Sequence, residues 1–211
     1  TDNYAAAEIG AEKIFEVKQD QIKNATIDEP VRIGVLSQEV NSQSISDRTQ
    51  GFIDKMEELI LTLDEIEAVA IVGHTKFGVS EKEAAVIIDL QVPAQLTDAA
   101  GQTTGQTLLN KEDTIAVFAS NEFASKALIN ANDSVGGILG EDIIGVGFDS
   151  GKMQQDAVRN NVFLGSITQD PISIGYQAVT LAIKAINGEE VEDVDTGAIW
   201  YNSENIDTED I

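Results

Sequence analysis

The sequence predicts an α/β protein with a doubly wound, mostly parallel sheet. Two observations carry this. Short apolar runs rich in β-branched residues alternate with longer segments whose apolar residues recur every three or four positions, the pattern of strand–helix–strand units. Several runs, such as "TIAVFAS" at 114–120 and "DIIGVGFD" at 142–149, are continuously apolar rather than alternating, which marks strands covered on both faces.

Residues 2–17 read as a helix, with Ala7, Ala11, Ile14 and Phe15 on one face, followed by a polar stretch ending at Pro30. "VRIGVLS" (31–37) is a strand. The polar loop "QEVNSQSIS" leads to a helix at about 47–63, with Phe52, Met56, Leu59, Ile60 and Leu63 inward. "EAVAIVG" (67–73) and "AAVIIDLQV" (84–92) read as strands, and 97–113 as a loop running into a helix weakened by two glycines. "TIAVFAS" is a strand and "NEFASKALINAN" (121–132) a helix with Ala124, Ala127, Leu128 and Ala131 inward. "DIIGVGFD" is a strand, "KMQQDAVRNN" (152–161) a short helix and "VFLGSIT" (162–168) a strand. Residues 171–188 form a helix with Pro171 in its first turn and Gly188 at its end, where each is favoured. "TGAIWYNS" (196–203) is the final strand. No internal repeat or low-complexity segment is seen.

Bulk properties narrow the function. The 42% apolar and 24% charged content is that of a globular protein, and 211 residues suffice for a substantial core. No run of 18 apolar residues and no signal peptide is present. The chain opens without Met and passes straight into a helical pattern, so a fragment of a longer protein is expected. The net charge of −24 repels phosphate backbones and anionic lipid, which argues against nucleic-acid binding through this segment and suits a solvated acidic face. The absence of cysteine rules out disulfides and thiolate metal sites. One histidine, His74, builds neither a histidine metal cluster nor a Ser-His-Asp triad. There is no phosphate-binding glycine loop of either common kind. No cofactor, no metal and no catalysis are expected. His74 reads as a turn residue, and Trp200 and Tyr201 as strand packing.

In open parallel sheets ligands bind beyond the carboxyl ends of the strands. Three strands end on a polar group there: "AVFAS" on Asn121, "GVGF" on Asp149 and "GSIT" on Gln169. Amides donate and accept, and a carboxylate accepts from two hydroxyls, so the set can grip a small polyol. Hydrogen bonds to charged groups contribute roughly 1.5–3 kcal/mol each, and a micromolar complex needs about 8 kcal/mol. Taken singly, Asn121 and Asp149 are better explained as a helix cap and a turn residue. Three such residues at successive strand ends favour a binding site.

At these residues the sequence resembles a known family. "DNYAAAEIGAEKI", "DRTQGF", "VFASNEFASKAL", "IIGVGFDS", "GSITQDPISIGYQAV" and "DTGAIWYNSENID" are similar to segments of the bacterial periplasmic sugar-binding proteins of the ribose-binding type, the solute receptors of ABC importers, and they occur in family order. The resemblance implies a two-lobed flytrap joined by a three-strand hinge, with the first lobe largely missing from this chain. Residues 1–169 would be the second, sugar-binding lobe. Residues 170–193 would be a helix that in the family packs on the first lobe, leaving Gly175, Val179, Ala182 and Ile186 without their usual partner. Residues 194–211 would return to the second lobe.

The resemblance further implies four ligand-binding residues. Arg48, in "SDRTQGF", matches the arginine that donates to sugar hydroxyls. Asn121 matches the amide of "F-A-x-N-D", with Glu122 in place of Asp. Asp149 matches the carboxylate of "G-F-D-G", with Ser150 in place of Gly, and Gln169 matches the glutamine of "T-I-A-Q-x-P". Two departures stand out. Some 15–20 additional residues within 63–96 are expected to form a hairpin that includes "VAIVGHTKFG". The family's stacking aromatic is replaced by Leu96 or Gln95, or on another alignment supplied by Phe77. The implied partners are a monosaccharide and the membrane permease of an importer, with a homodimer through the surface bared by the missing lobe as a further expectation. The implied location is the periplasm, or a lipid anchor on the outer face of a single membrane. The effector domain of a lac-repressor-like regulator shares the fold and most of these motifs and is the alternative; "GSITQDPISIGYQAV" and "DTGAIWYNSENID" favour the receptor.

Overall fold

The computed structural model describes residues 1–80 and 83–208. Among them, seven strands form one sheet in the order β2-β3-β1-β4-β5-β6-β7. They are β1 (Val31–Leu36), β2 (Val69–Val72), β3 (Val86–Gln91), β4 (Thr114–Ala119), β5 (Ile144–Phe148), β6 (Phe163–Gln169) and β7 (Ala198–Tyr201). All pairings are parallel except β6 with β7. The helices are α1 (Asn3–Lys23), α2 (Gln43–Ile60), α3 (Asp98–Leu109), α4 (Glu122–Val135), α5 (Lys152–Arg159) and α6 (Pro171–Ile186).

The continuous apolar strands are explained by two cores. Ile33, Val35, Phe118, Val146 and Phe148 pack against α1 and α2, while Leu36, Val117 and Phe163 pack against α3, α4 and α5. Phe52 of α2 stacks flat on Phe118, ring centroids 4.3 Å apart. The two glycines of "IIGVGFD" make room for a neighbour. A Cβ at Gly145 would lie 2.8 Å from the Phe163 ring, and one at Gly147 3.0 Å from it.

Three expectations need correction. The first helix continues to Lys23 rather than ending near residue 17, because Ile22 is fully buried and Lys18 buries its stem while its ammonium donates to the Asp142 carbonyl at 2.9 Å. The second helix starts at Gln43, inside the stretch read as a loop, because the Ser42 hydroxyl accepts from the Ile45 N–H and caps it. The extra segment is not a hairpin: β2 lies parallel to β3, at the sheet edge. The chain after β2 makes a 3₁₀ turn at Thr75–Phe77, capped by His74, and folds back along the edge. There Ser80 donates its N–H to the Ile71 carbonyl at 2.7 Å and accepts the Ile71 N–H on its hydroxyl at 2.9 Å. This closes part of an edge that would otherwise template pairing with another chain. Residues 81–82 of this segment, and 209–211 of the return segment, lie outside the described residues.

Helix α6 begins and ends as its sequence predicts. Asp170 accepts from the Ser173 N–H at 2.8 Å, Pro171 occupies the first turn, and Gly188 follows the C-cap with φ of 77°. Yet no residue of α6 is buried, and Tyr176, Val179, Ile183 and Ile186 face solvent. Three chain segments run together beside it. The Thr1 hydroxyl donates to the Gly197 carbonyl, the Asp2 N–H donates to Asp195, and Gln169 pairs with Ala198.

Candidate functional site

The sheet reverses its winding at β1, which has β3 on one side and β4 on the other. The crevice beyond the carboxyl ends of strands at such a point is where open α/β sheets take ligands. Arg48, Asn121, Asp149 and Gln169 all lie at that edge, Arg48 on α2 and the others at the ends of β4, β5 and β6.

Arg48 joins them. Its side chain is almost wholly buried and lies over the Phe148 ring, 3.8 Å from the centroid. Nε donates to Asn3 Oδ1 at 2.8 Å, one terminal nitrogen donates to Gln169 Oε1 at 2.9 Å, and the other to the Ser120 carbonyl at 3.3 Å. Asp149 Oδ2 lies 3.7 Å away. A guanidinium has five N–H groups, so among the described residues two remain uncommitted. Burial pulls the Arg48 pKa down, and Asp149 opposes the shift.

Asp149 adopts φ of 77°, a left-handed conformation that Asp and Asn tolerate better than most residues. Its backbone is pinned. The carbonyl accepts from Ser166 Oγ at 2.8 Å, Tyr201 Oη at 2.9 Å and Gln154 Nε2 at 3.2 Å. Its N–H donates to the Ile167 carbonyl at 2.7 Å. The side chain turns to the N-terminus of α4, where Oδ2 accepts from the Glu122 N–H at 3.0 Å. Burial raises the carboxyl pKa above the usual aspartate value, Arg48 and the Glu122 N–H hold it down, and the Glu122 charge adds to the rise.

Asn121 is the N-cap of α4, accepting from the Ala124 N–H at 3.0 Å, and its amide nitrogen donates to Gln38 Oε1. Its neighbours on either side tie it to the cluster, Ser120 through Arg48 and Glu122 through Asp149. Two shallow depressions flank these residues. One of about 380 Å³ includes Asp149, Gln169, Glu122, Ser150 and Thr168. The other, of about 470 Å³, lies between Gln38 and the apolar Val40, Val92, Pro93 and Leu96. Phe77 is buried in the core and offers no stacking face, whereas Leu96 is 58% exposed at the rim. His74 takes the turn role expected of it, its Nδ1 accepting from the Lys76 N–H. Tyr201 is fully buried strand packing, and burial pushes its hydroxyl up to about 12. No group of three or more metal-ligating side chains occurs among the described residues.

The sequence reading missed three participants. Gln38 follows β1 as Asn121 follows β4, so the strand-end rule applied to "VLSQ" points to it. Tyr201 was visible only as packing, yet its hydroxyl fixes the Asp149 backbone. Asn3 lies far from Arg48 in sequence and carries no local signal.

The fold is therefore one open α/β lobe with polar side chains gathered at its switch point. The chain matches the periplasmic binding protein domain over residues 1–190 and belongs to that family. It is similar over its whole length to a Brachyspira murdochii protein described as an "ABC transporter, LacI family transcriptional regulator", with 34% identity and a TM-score of 0.84, covering 63% of that chain. An Agrobacterium vitis ABC transporter solute-binding protein with bound D-fucose aligns over 100% of this chain and 61% of its own, at 20% identity and a TM-score of 0.74. An Agrobacterium radiobacter carbohydrate transporter solute-binding protein in complex with D-arabinose aligns over 99% of this chain and 61% of its own, at 22% identity and a TM-score of 0.71. The last two likenesses establish the fold alone. No curated protein sequence matches. The chain thus spans about 60% of the length of these structures.

Proposed function

We propose that the chain is the second-lobe portion of a solute receptor for an ABC sugar importer, and that it binds a monosaccharide without chemistry through Arg48, Asn121, Asp149 and Gln169. The observation that carries this reading is the convergence of Gln169, Asp149 and the Ser120 carbonyl, which directly precedes Asn121, around one buried guanidinium at the switch-point edge. Arginine and aspartate nearly balance in charge there, which suits a neutral polyol. The sugars bound in the Agrobacterium structures agree with that chemistry.

Residues 1–169 form the sugar-binding lobe, 170–193 carry a helix that packs on a first lobe, and 194–211 return to the second. The solvent-facing apolar side of α6 supports the middle assignment, and the bonds joining residues 1–2, 169 and 195–198 support a hinge of three crossings. Closure of the lobes over the sugar presents the liganded form to membrane permease subunits outside the cytoplasm. No helix of the described residues is long and apolar enough to cross a membrane.

The description of the Brachyspira neighbour keeps a second reading in play, the effector domain of a lac-repressor-like regulator using the same four residues. Two measurements on the full-length gene product test the proposal. Calorimetry against aldopentoses, aldohexoses and ketohexoses should find a sugar ligand whose binding is lost in Arg48→Ala. Fractionation should place the protein outside the cytoplasm. A cytosolic, operator-binding protein would establish the regulator, and binding that survives Arg48→Ala would sink the site.

A further inference from the structure

Gly51 lies one helical turn beyond Arg48 on the same face of α2. A Cβ there would sit 2.3 Å from the Tyr4 carbonyl oxygen and 2.9 Å from its carbon. Both are backbone atoms of α1, so no side-chain adjustment relieves the clash. Only glycine lets α2 come this close to the first turn of α1. The close approach has a consequence one turn back, where Arg48 Nε reaches Asn3 Oδ1 at 2.8 Å.

Nε is the nitrogen through which the guanidinium joins its stem. A hydrogen bond there, with the Phe148 ring beneath the plane at 3.8 Å, fixes both the tilt and the rotation of the group. The two terminal nitrogens then face Gln169, Asp149 and the Ser120 carbonyl rather than turning elsewhere. Asn3 is on another helix and is not among the residues around the flanking depressions.

We propose that Asn3 is a positioning residue for ligand recognition, acting through Arg48 in a contact that Gly51 makes possible. The inference rests on the reading of Arg48 as a sugar-binding residue. It assigns to the first helical residue of the chain a role in affinity that its distance from the strand ends conceals.

The test uses the full-length protein, calorimetry and the tightest sugar from a panel of aldopentoses, aldohexoses and ketohexoses. Asn3→Leu removes the acceptor at similar size, and binding should weaken by about 5- to 30-fold, the loss expected when a charged donor is left without its partner. Asn3→Asp keeps an acceptor for Nε and should stay within about threefold of wild type. In an Arg48→Lys background, which lacks Nε, Asn3→Leu should add less than about twofold, because coupled residues do not contribute independently. Thermal unfolding of each variant reports folding separately. Three results overturn the proposal: Asn3→Leu within twofold of wild type, an undiminished effect in the Arg48→Lys background, or failure of Asn3→Asp to rescue. If the wild type binds no sugar, or Arg48→Lys binds normally, the sugar-site reading falls first and this inference falls with it.

Discussion

Asp149 offers the sharpest discrimination between a ligand residue and a turn residue, because its backbone and side chain can be tested apart. Its φ of 77° would strain Ala by about 1–2 kcal/mol, so Asp149→Ala alone mixes strain with lost chemistry. Asn tolerates the left-handed region and keeps an oxygen for the Glu122 N–H that Oδ2 now accepts at 3.0 Å. Gly relieves the backbone entirely and removes the side chain. If the carboxylate binds sugar hydroxyls, both substitutions lose a hydrogen bond to a charged group, about 1.5–3 kcal/mol, or roughly 10- to 150-fold in affinity. Ala should lose at least as much. The assay is calorimetric titration of the full-length protein with its best sugar, with thermal unfolding as the folding control. If Asn and Gly both bind within twofold of wild type, Asp149 is a turn residue and the four-residue site is wrong.

Other consequences follow from the same geometry. The Asp149 pKa lies above the ordinary value of about 3.9, so sugar binding that needs the carboxylate should fall as pH drops through that raised value, and Asp149→Asn should flatten the titration. The effect on folding has the opposite sign. A pKa raised in the folded state favours the protonated form, so this contribution is fully present below the ordinary value and is lost as pH rises through the raised one; urea midpoints across that window should show it in wild type and not in Asp149→Asn. The 211-residue chain by itself should bind sugar weakly or not at all, and a micromolar dissociation constant by calorimetry would contradict the two-lobe reading. Ile183→Lys on α6 should shift the melting temperature of this isolated chain by less than about 2 °C, because more than half of the side chain is exposed to solvent there; sedimentation of the same variant would reveal any self-association through that face. Asp89 is buried and pairs with both Arg32 and Lys111, while Arg32 also keeps Asp113, so Asp89→Ala should destabilise by about 1–3 kcal/mol in chemical denaturation.

Which elements were legible in the sequence follows from how local their causes are. Strands β4 and β5 were plain because burial on both faces writes itself into every residue of "IAVFA" and "IGVGF". The end of α1 was hidden because "KQDQIK" reads as solvent-facing, while in the fold Ile22 is fully buried and the Lys18 ammonium reaches the carbonyl of Asp142, more than a hundred residues later. The hairpin expectation failed for a related reason. Two apolar runs close in sequence look like adjacent antiparallel strands. Their real pairing depends on the path between them, which Ser80 stitches along the open edge of β2 rather than turning straight back.

The site was legible to the extent that strand ends are, and what remained hidden clarifies how it is assembled. In the sequence Asn121 reads as a helix cap or a ligand amide, and Asp149 as a turn residue or a ligand carboxylate. The structure shows the cap and the turn without removing the capacity to bind. Asn121 caps α4 with its oxygen, and the amide still has a lone pair and an N–H beyond its bonds to Ala124 and Gln38. Asp149 commits Oδ2 to the Glu122 N–H, and no hydrogen bond to Oδ1 is formed among the described residues. Arg48 is held by Asn3, Gln169 and Ser120 with donors to spare. In each case bonds to the protein fix the orientation of a group that retains unused hydrogen-bonding capacity. Groups held in this way lose little further freedom when a ligand arrives, which is how preorganisation raises affinity. Capping and the proposed recognition are then compatible uses of the same side chains, and evidence for the cap is no evidence against the site.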